Sequence, residues 1–262
     1  MKQQLTSRVN RAQLGALSAL LIIFSIVTLT SGEAHARRHR LAKQLDRRLM
    51  GKTGSGFGLI GAKLNLQWAG FSANLENAKD PLINDPSAMT AFGFGVTLDR
   101  SINHYVGFRA EALYQNKNVS HDSPVNYELK MANARVKSET YLDYVEVPVG
   151  VLVRFMPGHI IQPYTSVGMY GAILVNTDGT QEGFGSTEDA RVPFSTFDYG
   201  WYLSAGSYFV LAEGAGFLSA ELKYSGGLAN IADTGVEING QTPLKSQTYT
   251  SGNFSLSVSY YF

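Results

Sequence analysis

Phe254, Leu256, Val258, Tyr260 and Phe262 alternate with Ser255, Ser257, Ser259 and Tyr261 at the end of the chain. A period of two puts the apolar side chains on one face of a strand and the polar ones on the other. The same alternation recurs upstream and predicts eight strands near 56–68, 90–101, 104–118, 139–155, 161–176, 197–211, 216–229 and 247–262. In the fourth, Val145, Val147, Val149, Val151, Val153 and Phe155 oppose Tyr144, Glu146, Pro148, Gly150 and Arg154. In the second, Phe92, Phe94, Val96 and Leu98 oppose Gly93, Gly95, Thr97 and Asp99; in the seventh, Leu218, Ala220, Leu222 and Tyr224 oppose Ser219, Glu221, Lys223 and Ser225.

The connections alternate in length. Short ones fall at 102–103, 156–160 and 212–215, and long ones at about 69–89, 119–138, 177–196 and 230–246. Tight turns on one side and longer loops on the other are the pattern of a transmembrane barrel in a bacterial outer membrane. Alternation alone does not say which face points inward, since a soluble barrel hides its apolar face and a membrane barrel its polar one. The N-terminus favours the membrane. Lys2, Arg8 and Arg11 precede an apolar run from Leu14 to Thr30, and Ala34-His35-Ala36 has the small-residue pattern of a signal-peptide cleavage site. The expected organisation is a signal peptide over 1–36, a basic periplasmic segment over 37–54, and an eight-stranded antiparallel outer-membrane β-barrel over 55–262. The crowding of Arg37, Arg38, Arg40, Lys43, Arg47 and Arg48 just past the junction argues against cleavage there.

With the polar face inward, the lumen carries Lys63, Arg109, Arg154 and Lys223 against Asp99, Glu111, Glu146 and Glu221. Eight strands enclose a space that side chains just fill. Enclosed charges must be paired, because an unpaired one costs several kcal/mol. The balance predicts a packed, non-conducting interior, with Tyr144, Tyr164, Tyr170, Tyr202 and Tyr208 adding phenols. Tyr260 and Phe262 are the expected C-terminal assembly signal, read by the barrel-assembly machinery.

Several stretches then resemble one family. Tyr141-Leu-Asp-Tyr-Val-Glu-Val-Pro-Val149 is similar to the "YLEIPLLLK" strand of PorT-like outer-membrane β-barrel proteins of the Bacteroidota. Glu111-Ala-Leu-Tyr-Gln115, Pro163-Tyr-Thr-Ser-Val-Gly168, Asp198-Tyr-Gly-Trp-Tyr-Leu-Ser-Ala-Gly206 and Glu221-Leu-Lys-Tyr-Ser-Gly-Gly-Leu-Ala-Asn-Ile231 resemble further family stretches in the same order. The resemblance covers about 56–262 and implies an eight-stranded outer-membrane barrel. The basic 37–54 segment departs from the family pattern.

Motifs for catalysis or cofactors do not emerge. Cysteine is absent, which excludes disulfides and thiolate metal sites, and a net charge of +1 gives no reason to expect nucleic acid as a partner. Of the five histidines, His35 and His39 precede the barrel, and His104, His121 and His159 fall at turns or in a loop, so no metal site is expected. His121-Asp122-Ser123 resembles the His-x-Ser of lipid A deacylase, but the pattern places it in a loop ahead of Pro124. The expected function is a non-enzymatic barrel with no cofactor and no metal. Its partners are outer-membrane lipids and an envelope or extracellular protein met through four loops. The alternatives are a narrow porin-like channel for small solutes and a barrel enzyme.

Overall fold

The computed structural model describes residues 34–49, 58–74, 84–124, 135–182, 195–211, 216–230 and 248–262. The expected apolar leader core and much of the four expected loops lie outside the described residues. Helix α1 (Ala34–Leu49) is followed by strands β1 (Leu59–Asn74), β2 (Asn84–Ser101), β3 (Val106–Asn116), β4 (Val119–Pro124), β5 (Arg135–Arg154), β6 (Ile161–Glu182), β7 (Phe197–Val210), β8 (Phe217–Gly227) and β9 (Thr248–Tyr261). All pairings are antiparallel. β9 pairs with β1 and β1 with β2, so the sheet closes on itself. After a break at Lys117 and Asn118, β4 continues the path of β3 between β2 and β5. The nine strands therefore form eight staves of a closed barrel.

The strands outrun the expected boundaries at the long-loop end. β5 and β6 are 20 and 22 residues long, about twice the 9–11 residues that cross a bilayer. His121, Asp122 and Ser123 accordingly lie in β4, paired with β5, and not in a loop. The expected basic segment over 37–54 carries no secondary-structure expectation. Residues 34–49 are helical, and the helix runs through the expected cleavage junction after Ala36.

Burial settles which face is inside. Leu64 is 68% exposed, while its neighbour Lys63 is 1% exposed. Phe92, Phe94, Val147, Val149, Val167 and Leu203 are likewise exposed, and Asn65, Gln67, Asp99, Arg109 and Glu111 are buried. An apolar belt of this extent is far larger than the patches water tolerates and requires a lipid surround. Aromatic pairs edge the belt: Trp68 with Phe254 and Trp201 with Tyr224 toward the long loops, and Tyr260 with Phe262 at the short-turn end. Such rings suit the polar–apolar boundary of a membrane. Among the described residues no helix is long and apolar enough to cross one.

Candidate functional site

Each stave turns every second residue inward, many of these residues are polar, and the barrel stacks them into tiers. The middle tier centres on Arg109 in β3. Its Nε donates to Asp99 Oδ1 at 2.6 Å and its Nη2 to Asp99 Oδ2 at 2.8 Å, and Nη1 pairs with Glu221. Asp99 Oδ2 also accepts from the Tyr208 hydroxyl at 2.6 Å and the Tyr261 hydroxyl at 2.7 Å. The Tyr164 hydroxyl donates to Glu221 at 2.9 Å, and the Arg109 guanidinium lies 4.7 Å from the Tyr164 ring centroid. Lys63 Nζ bridges Glu111 at 2.6 Å and Glu221 at 2.7 Å; Lys223 Nζ donates to Glu111 at 2.6 Å. These residues come from β1, β2, β3, β6, β7, β8 and β9, so the ion network crosses the lumen from wall to wall.

Two close approaches pack the phenols. A Cβ on Gly206 would sit 2.7 Å from the Tyr164 hydroxyl, and one on Gly168 would sit 2.8 Å from Tyr202 Cε1. Both glycines give a ring on the facing stave the space to lie flat on backbone.

Nearer the long loops, Lys117 Nζ donates to Asp198 Oδ2 at 2.8 Å and lies 3.3 Å from Glu146 Oε2. The rings of Tyr144 and Tyr170 flank it, with centroids 4.9 and 4.8 Å from Nζ. Ser251 donates to the same Asp198 oxygen at 2.8 Å. Below this, Asn253 donates to Gln67 at 2.7 Å and to Gln115 at 3.4 Å. At the short-turn end, Arg154 Nη1 pairs with Asp46 Oδ1 of α1 at 2.8 Å, and reaches Gln162 at 3.2 Å.

Of the eight charged residues read from the sequence, Lys63, Asp99, Arg109, Glu111, Glu221 and Lys223 share the middle tier. Glu146 lies toward the long loops, and Arg154 lies at the opposite end, not in a layer with Lys63 and Glu111. Lys117, Asp198 and Asp46 were missed. The first two share the lumen parity of Arg109 and Tyr202, so alternation alone carries them. Among the described residues no group of three or more His, Cys, Asp or Glu is placed to hold a metal ion. Lys63, Arg109, Lys117, Arg154 and Lys223, the buried cations among the described lumen residues, are each engaged by a carboxylate. Tyr260 and Phe262 face outward at the short-turn end, and the Phe262 amide bonds to Ile60 O across the β1–β9 seam at 3.2 Å.

Residues 46–233 match the family described as "Outer membrane protein beta-barrel domain". Similar solved structures include Neisserial surface protein A, 12% identical over 78% of this chain and 97% of that one, with a TM-score of 0.39. The outer-membrane protein OprG of Pseudomonas aeruginosa is 13% identical over 77% and 96%, with a TM-score of 0.39. Ail of Yersinia pestis, solved with the heparin analogue sucrose octasulfate, is 11% identical over 78% and 98%, with a TM-score of 0.36. No curated protein matches.

Proposed function

The chain belongs to the outer membrane protein β-barrel domain family, and from that premise we propose that it is a closed, non-enzymatic scaffold that holds four loops outside the cell. The observation that carries this reading is the Arg109 network. It ties opposite walls together through buried, doubly used carboxylates, which leaves the lumen committed to packing rather than passage. The long extensions of β5 and β6 support the second half of the reading, since they lift the loops clear of the membrane. Loops on a rigid frame are the usual seat of binding.

The role is structural, adhesive or as a subunit of an envelope assembly, with an envelope or extracellular protein met through the loops. The five stretches that resemble PorT-like barrels of the Bacteroidota support a place in that branch of the family. Export rests on the leader over 1–36, and assembly on recognition of Tyr260 and Phe262 by the barrel-assembly machinery. The test is complementation of a deletion strain by barrels trimmed in the loops between β1 and β2 and between β6 and β7. Loss of the phenotype with normal outer-membrane levels is the expected result. Full rescue by a barrel lacking both loops places the function elsewhere.

A further inference from the structure

Helix α1 is more than a tether between a leader and a barrel. Ala42, Leu45, Asp46 and Leu49 are buried, at the i, i+3, i+4, i+7 spacing of a single helical stripe. Arg40, Lys43, Gln44 and Arg47 are exposed on the remaining surface. Leu45 and Leu49 belong to one buried cluster with Leu59 of β1, Leu152 of β5, Tyr164 of β6, Tyr208 and Val210 of β7, Phe217 of β8 and Tyr261 of β9. These strand residues line the short-turn side of the lumen, up to the rings of Tyr164, Tyr208 and Tyr261, whose hydroxyls belong to the Arg109 tier.

We propose that α1 is a resident plug of the short-turn mouth, and that it docks only on a barrel that has already closed. The second half follows from the make-up of its seat. Leu59 comes from the first strand and Phe217 and Tyr261 from the last two, so the seat is incomplete until β1 pairs with β9.

Charge and apolar contact act together. Without Asp46, the buried Arg154 guanidinium keeps, among the described residues, only neutral partners, Gln162 at 3.2 Å and the Asn103 carbonyl at 3.4 Å. A buried cation left without its counter-charge is strongly destabilising. Docking of α1 supplies that charge and covers the apolar rim in one step. At the helix C-terminus Arg48 lies 5.6 Å from the Phe217 ring centroid, which pins the last turn over β8. Arg47 and Arg48 also oppose the negative end of the helix dipole. The plug leaves a basic face outward; that this face meets the periplasm rests on the orientation proposed above, whereas the plug itself does not.

The native chain has no cysteine, so single-cysteine variants read the helix directly. Leu45→Cys and Lys43→Cys are compared in full-length barrels reconstituted in phosphatidylcholine vesicles, with folding checked by heat-modifiability. A water-soluble maleimide is expected to label Lys43→Cys at once and Leu45→Cys roughly a hundredfold more slowly, as for a site reached by local opening. Adding Asp46→Asn to Leu45→Cys restores fast labelling while the barrel stays heat-modifiable. The charge exchange of Asp46→Arg with Arg154→Asp slows it again. Equal labelling of the two cysteines in a folded barrel overturns the plug. If Leu45→Cys does not fold, trypsin on the cysteine-free chain gives the same reading. Slow cleavage after Arg47 that becomes fast in Asp46→Asn supports docking, and fast cleavage in both overturns it.

Discussion

Asp99 and Arg109 face each other across the β2–β3 ladder and meet again through their side chains, as a two-pronged ion pair with bonds of 2.6 and 2.8 Å. The carboxylate is shared with Tyr208 and Tyr261, and the guanidinium with Glu221. One pair thus ties a local hairpin to the far wall of the barrel.

Removing one partner leaves the other buried without a counter-charge. Arg109→Met is expected to destabilise the barrel by about 3–5 kcal/mol. Arg109→Lys is expected to be damaging too, because an ammonium cannot reproduce the fork on Asp99. Urea unfolding in lipid vesicles, followed by the fluorescence of Trp68 and Trp201, measures both. An Arg109→Met variant as stable as the native chain contradicts the network.

Lys117 holds Glu146 and Asp198 together, so its loss strands two carboxylates. Lys117→Met is expected to cost more than Lys117→Met combined with Glu146→Gln and Asp198→Asn. The comparison is again a urea midpoint. The reverse order indicates that Lys117 is not the counter-charge of that tier.

On the outer face, Val149→Arg is expected to cost about 2–4 kcal/mol if the site lies near the bilayer midplane. Gly150→Ser, one position on, is expected to be costly for another reason: a side chain on Gly150 would meet the Tyr202 hydroxyl and the backbone of Val167 and Gly168. Lipid composition separates the two. Thinning the bilayer is expected to relieve Val149→Arg and leave Gly150→Ser unchanged.

Phe262 donates its amide to Ile60 and exposes its ring beside Tyr260. Phe262→Asp is expected to lower outer-membrane assembly, since the last strand seals an edge that is otherwise open. Membrane fractionation with heat-modifiable gels is the measure. Native levels of the variant contradict an assembly role.

Strand number, facing and closure were legible because period-2 alternation is strict wherever one face meets lipid and the other a polar lumen. Leu64 beside Lys63 shows how sharply the two environments separate. Strand ends were not legible toward the long loops. The sequences of β4 and of the outer half of β6 lack the alternation that marks a strand. The middle tier was readable as a balance of charge, yet its partners were not. Which carboxylate meets which cation depends on the stagger between staves, which places Arg154 beside Asp46 rather than beside Glu111. Asp46 escaped notice because its stripe has helical spacing and sits within a run of arginines. Ala42, Leu45 and Leu49 carried the signal that the charges obscured.

The barrel is closed, and its lumen is filled by its own ion pairs. Planar-bilayer recording of the purified native protein tests this most directly. No steady current is expected, and a leak once Arg109 and Glu111 are both replaced by Ala. A stable, ion-selective conductance in the native protein contradicts it and returns the chain to the reading of a narrow channel.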